Sequence, residues 1–255
     1  MGSTRETARD IPIPVRTLTG SAPKLDPSTF RWMAATANET HRNGLEYLQL
    51  GLAERPDALV SFILGFVREI VAKRVDATSK YIVEETKPAP LLVACSKGCA
   101  WCCHQDVEVS IAEAILIAVE TAGDARGKAF DEKSKEIIGH ARKKGTPCPF
   151  LGEARNCTIY DIRPVVCRSF LSPDKTRCQQ SVEAILSGAK PVQVLSHGMP
   201  HLLGNAIRAG LNEVLKDHGL QNDYVDLVQT VAAIRSHPEL IDRWANGESV
   251  FKPRS

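Results

Sequence analysis

Residues 95–103 read CSKGCAWCC, which places Cys95, Cys99, Cys102 and Cys103 within nine positions. The other thiols, Cys148, Cys157, Cys167 and Cys178, follow downstream, so all eight cysteines of the 255-residue chain lie between Cys95 and Cys178. Soft donors confined to one window point to a metal site. Gathered thiolates repel one another and oxidise unless a cation such as Zn²⁺, or an iron–sulfur core, sits among them.

A disulfide framework is the rival reading, because even cysteine counts mark small secreted domains. The first twenty residues, MGSTRETARDIPIPVRTLTG, contain no continuous apolar segment and carry Glu6 and Asp10, so neither a signal peptide nor a transit peptide is expected. No run approaches the roughly 18 apolar residues of a membrane span. The chain is also long enough to bury a core without covalent staples. The expectation is a reduced, cytoplasmic protein with no membrane contact. With 43% hydrophobic and 24% charged residues the composition is that of an ordinary globular protein. A net charge of +2, no long basic block and only three Trp and four Tyr speak against a nucleic-acid partner.

Outward from the cysteine window the sequence is helical. Residues 1 to about 25 read as a loose N-terminal arm, rich in Pro, Thr and Ser. Asp26-Pro27 reads as an N-cap followed by proline at the first helical position, opening a helix to about Gly51. Leu59, Phe62, Ile63, Phe66, Val67, Ile70, Val71 and Val75 form the stripe of a long amphipathic helix to about Glu85, stopped by Lys87-Pro88-Ala89-Pro90. Ser110 and Glu113 form a capping box before the apolar run Ile111–Val119. Asp124 caps a further helix expected to end near Lys144, with Arg142, Lys143 and Lys144 at its negative end and Gly145 after it. Residues 146–172 lack any long period and read as loops and short strands around a metal. Helices are expected again at 174–187, 199–217, 223–236 and 239–246. No internal repeat is present.

The spacing Cys95-x3-Cys99-x2-Cys102, with Trp101 before the third cysteine, matches the cluster signature CxxxCxΦC of radical S-adenosylmethionine enzymes. Those enzymes place the motif after the first strand of a partial β/α barrel. Here about 90 mostly helical residues precede it and no βα alternation follows, so that assignment is set aside.

A more specific likeness covers residues 91–180. The order Cys95, Cys99, Cys102-Cys103, then Cys148-Pro149-Phe150-Leu151, then Cys157-x-Ile159-Tyr160-x2-Arg163-Pro164-x2-Cys167-Arg168-x-Phe170, then Cys178, resembles the YkgJ-type cysteine-cluster family, CxxCxxCC. The first gap here is three residues where the family's nickname has two. The resemblance implies chelation of zinc or iron, and one branch of the family, the flagellin lysine N-methylases, implies methyl transfer from S-adenosylmethionine. All eight cysteines are candidate ligands. Cys99-x2-Cys102 is a zinc-type half-site, while the longer CxxxCxxC loop has the reach for an iron–sulfur cubane such as [4Fe–4S]. Adjacent Cys102 and Cys103 project in different directions, so the thiols fill either two four-cysteine sites or one cluster with further thiols around it.

Arg163 and Arg168 stand beside Cys167 and would offset thiolate charge or hold an anionic substrate. Arg177 beside Cys178 is a weaker candidate. Tyr160 would donate a hydrogen bond to sulfur or pack as an ordinary core ring, and Trp101 would keep water from the metal. His104, His197 and His201 are further donor types in reach of the window, with eight thiols leaving little need for them.

The expectation is therefore a mainly α protein, residues 26–255 forming one helical domain around an irregular cysteine-rich metal-binding module at 91–180, with at most short strands. Its function is chelation of an iron–sulfur cluster, slightly preferred, or zinc. Two alternatives stay open. One is a cluster-dependent S-adenosylmethionine methyltransferase acting on protein lysine. The other is a structural-zinc module that presents a surface to a protein partner.

Overall fold

The structure, a computed structural model, describes residues 10–13, 25–85, 91–138 and 143–254. Helix α1 (Pro27–Glu54) begins as its sequence predicts, with the Asp26 carboxylate accepting the backbone N–H groups of Ser28 at 2.9 Å and Thr29 at 3.0 Å. That cap satisfies donors which the first helical turn leaves without partners.

The second amphipathic segment is one helical rod from Leu59 to Glu85, made of α2 (Leu59–Gly65), a π turn (Phe66–Val71) and α3 (Ala72–Glu85). Ile63, Val67, Val71, Val75 and Ser79 are all buried. Their four-residue spacing drifts off the face of a 3.6-residue helix, and the wider π turn takes up the drift.

Helix α4 (Ile111–Glu120) is the centre of the molecule. Its capping box is present as expected, and Ile111 to Ala118 are buried on every side. A helix that is apolar all round belongs in a core, and α4 is enclosed by α9 and by the α2–α3 rod. Each such buried Ile or Leu contributes about 1.5–3 kcal/mol of apolar transfer.

The expected helix at 223–236 is shorter at its start. Tyr224–Asp226 is strand β2, antiparallel to β1 (Glu108–Ser110), with Val109 opposite Val225 and both fully buried. Asp226 then accepts from Val228 and Gln229 and opens α9 (Leu227–Ser236). Pairing across the chain overrides local helical preference there. The helix capped by Asp124 is also shorter than expected. α5 (Ala125–Ser134) gives way to turns, and the expected C-terminal residue Arg142 lies outside the described residues, as does Lys87-Pro88-Ala89-Pro90.

One short helix was not anticipated. α6 (Val165–Ser169) starts behind Pro164 in the segment read as loop. Its N-terminal amide is closed from a distance, because Glu113 Oε1 accepts the Val165 N–H at 2.7 Å. α6 lies tight on α8 (Gly198–Asp217) at Gly204, where a Cβ would stand 2.5 Å from Ser169 Oγ.

Helix α7 (Lys175–Leu186) follows α6, and α10 (Glu239–Ala245) follows α9. α1 packs along α8, and buried His41 Nε2 meets Asp217 at 2.8 Å between them. Of the expected N-terminal arm, Ile11 is buried and Ile13 packs against α1 and α8 residues including Met33 and Leu202, while residues 1–9 and 14–24 lie outside the described residues. The protein is mainly α with a single two-stranded sheet among the described residues. No helix is long and apolar enough to cross a membrane.

Candidate metal centre

The cysteine window is built from turns, short helices and one helix start. Cys99 closes a turn by donating its N–H to Ser96 O at 2.9 Å, and Gly98 supplies the left-handed φ of +94° which that turn requires. Trp101–His104 is a 3₁₀ helix. With three residues per turn, the Cα–Cβ bonds of Cys102 and Cys103 leave the helix about 120° apart, and the two sulfurs still meet in a hydrogen bond.

The later cysteines are tied to this turn through the backbone. Cys148 N donates to Cys103 O at 2.7 Å. Cys157 bridges to Leu151 across a tight loop whose Arg155 adopts φ 54°. Cys167 is carried mid-way along α6, and Cys178 lies in the first turn of α7, which Asp174 caps by accepting from Arg177 N at 3.0 Å.

All eight cysteines are free thiols. Their electrostatic neighbours fall into two sets. Burial pushes the Cys95 thiol up, with Cys99, Cys102 and Cys178 adding to the rise. Burial likewise raises Cys178, with Cys99 and Cys102 behind it. On the other side, burial raises Cys167 strongly, and Cys102, Cys148 and Cys157 raise it further. Cys103 is raised first by its hydrogen bond to Cys102, then by burial, then by Cys148 and Cys157 beside it. Burial raises Cys157 too. Cys102 is common to both sets. Its thiol is lowered to about 7, chiefly because Cys103 donates a hydrogen bond to it and secondly because the Arg163 guanidinium is near.

The two arginines of the motif have different places. Arg163 stacks on Tyr160 at 4.1 Å and lowers Cys102, Cys157 and Cys167, so its charge acts on the thiols. Arg168 is buried and donates to Asp76 of α3 at 2.5 Å, to Arg163 O at 2.8 Å and to Asp161 O. These contacts staple the 161–168 segment to the α2–α3 rod. Arg177 is half-exposed and pairs with Asp174 at 3.6 Å. Trp101 lies under the Arg155 guanidinium at 4.0 Å.

His104 Nδ1 donates to Gly145 O at 2.7 Å, and His197 Nε2 donates to Leu92 O at 2.7 Å, so each has a backbone partner. His201 lines a cavity described below.

Two residues of the site carry no cysteine-type signal in the sequence. Buried Ser172 donates its backbone N–H to Cys95 Sγ at 3.2 Å, and its hydroxyl supports Cys178. Glu113 reads as a local cap, yet it also anchors the helix that carries Cys167. Both contacts depend on chain crossings that no local motif encodes.

Beside the thiols lies a cavity of about 590 Å³, lined by Cys102, Cys167 and Cys178 together with Trp101, Phe170 and the segment Lys190–Val194. Among the described residues, no three Cys, His, Asp or Glu side chains converge tightly enough to hold one ion. The donor chemistry nonetheless fits zinc or iron, since both take thiolate.

Residues 94–184 match the CxxCxxCC family, described as a "Putative zinc- or iron-chelating domain". The segment that folds into this thiol-lined centre is thus similar to a family described as zinc- or iron-chelating. Comparison with curated proteins and with solved structures gave no match.

Proposed function

We propose that the protein binds iron, as an iron–sulfur cluster, through two four-cysteine groups. Cys95, Cys99, Cys102 and Cys178 form one, and Cys103, Cys148, Cys157 and Cys167 form the other. The observation that supports this reading is that Cys95 and Cys178 have Cys99 and Cys102 as thiol neighbours, whereas Cys103 and Cys167 have Cys148 and Cys157 beside them in addition to Cys102. Iron is preferred over zinc because the three-residue first gap suits a cubane and the later cysteines interleave over a long stretch. When bound, a cluster would supply electron transfer. The chain's own part is to present thiolates, to offset their charge with Arg163 and to hold Cys95 and Cys178 through Ser172.

Protein purified without oxygen should be brown, with broad absorption near about 400 nm. Colourless protein with stoichiometric zinc and no iron would overturn the iron assignment. One metal centre per chain by native mass spectrometry would remove the two-site version.

The cavity favours a second reading in which the centre serves catalysis, because a purely structural thiolate site is closed. In that reading the protein transfers a methyl group from S-adenosylmethionine to protein lysine. Calorimetry with S-adenosylmethionine on metal-loaded protein tests it, and absence of binding removes it.

A further inference from the structure

We infer that the cavity beside the thiols binds a small amphipathic organic anion, its apolar body against the walls and its negative group at Lys190. The volume of about 590 Å³ lies within the range that encloses drug-sized or metabolite-sized molecules. Val166, Phe170, Val182, Ile185, Val192 and Val194 supply an apolar wall. Such a wall gains free energy from an apolar guest in proportion to the area taken from water.

The charges at the cavity choose the sign of the guest. Asp106 lines it but faces Arg254 at 3.6 Å, which offsets its charge. Lys190 also lines it and makes no ion pair among the described residues. Cys102, Cys167 and Cys178 line it as well. An amphipathic guest therefore orients itself, with its negative end at Lys190 and its apolar body against the valine, isoleucine and phenylalanine side chains of the wall.

The outer wall is built to admit such a guest. Residues 189–197 connect α7 to α8 as a strap whose burial alternates, Val192 and Val194 being half-buried while Pro191, Gln193 and Leu195 are exposed. The strap is held at its ends, where Ala189 N donates to Ala184 O at 2.8 Å and His197 N donates to Leu171 O at 2.8 Å. Between them, residues 190–196 make no backbone hydrogen bond to another described residue. A wall fixed only at its ends can move outward without breaking secondary structure.

The test uses two dyes with the same ring system on the full-length protein. 8-Anilino-1-naphthalenesulfonate carries the anionic group, and N-phenyl-1-naphthylamine lacks it. The sulfonate dye should bind at one site and more tightly than the neutral one. Lys190→Glu should weaken the sulfonate dye about fivefold or more and leave the neutral dye unchanged. Val194→Trp, which fills the cavity, should weaken both about tenfold or more. Circular dichroism and urea midpoints verify folding, with Val192→Trp used in place of Val194→Trp where the latter does not fold. No binding of the sulfonate dye, equal loss of both dyes in Lys190→Glu, or unchanged binding in the filled variant would each overturn the inference. The inference stands on the cavity and not on the metal assignment. Metal content measured on the same samples tells the two apart: dye binding by metal-free protein supports the cavity while failing the metal reading.

Discussion

The Glu113 carboxylate joins two helix starts: it accepts the Ser110 N–H at 2.9 Å at the head of α4 and the Val165 N–H at 2.7 Å at the head of α6. The same group that caps the start of the central helix therefore sets where Cys167 stands. Arg208 approaches it at 4.0 Å, so the carboxylate is buried among donors and a cation.

Glu113→Ala should destabilise the protein by about 3–4 kcal/mol, because it strands two buried amides and leaves the buried Arg208 with less opposing charge. Glu113→Gln, which keeps the shape and one acceptor, should cost distinctly less. Urea unfolding measures both, and a loss below about 1 kcal/mol in the alanine variant would contradict the dual role.

Asp131 and Arg235 tie α5 to α9 through two hydrogen bonds of 2.6 and 2.7 Å. The hydrogen bonds from Arg235 hold the Asp131 carboxyl below the usual range. Since the folded pKa is depressed, the stabilisation is fully present above the unfolded carboxylate pKa and is lost as pH falls through the folded value. The carboxylate is 46% exposed, so the pair contributes only about 0.5–1 kcal/mol. Wild-type protein and Asp131→Asn should differ by that amount in urea at pH 7 and converge in acid. A difference that persists at low pH argues against this linkage.

Metal uptake should release protons. Cys95, Cys157, Cys167 and Cys178 are pushed up chiefly by burial, so they are protonated in the metal-free protein at neutral pH and must ionise to ligate. Affinity should therefore fall as pH is lowered. Calorimetry in buffers of different ionisation enthalpy should find about two or more protons released per metal ion; none released would speak against thiolate ligation.

In metal-free protein Cys102 should be the first thiol alkylated, with a midpoint at about 7, because Cys103 donates to it and Arg163 is near. Arg163→Ala should move that midpoint upward. Peptide mapping after brief iodoacetamide treatment reads the order, and faster modification of Cys167 than of Cys102 would reverse the assignment.

Much of the scaffold is legible in the chain itself. The Asp26 cap, the Ser110/Glu113 box, the Asp124 cap and the apolar stripe of 59–75 are local patterns, and each produces the expected helix start or buried face. The confinement of eight cysteines to one window is likewise a fact of sequence, and it marks the segment, residues 94–184, that matches a family described as zinc- or iron-chelating. Such features depend on contacts within one or two helical turns, or on residue type alone.

Other features required distant segments to meet. β2 forms at Tyr224 because β1 offers an edge more than a hundred positions away, and α6 forms because Glu113 closes its first turn. Arg163 and Arg168 look equivalent beside Cys167, yet only the fold sends Arg168 to Asp76 and Arg163 toward the thiols. The proposed partition of the thiols would have the same origin. Spacing brings four sulfurs near one another along the chain, but whether Cys178 joins Cys95 or Cys167 depends on where α6 and α7 dock. That docking is governed by side-chain packing and long-range hydrogen bonds, and no local pattern encodes it.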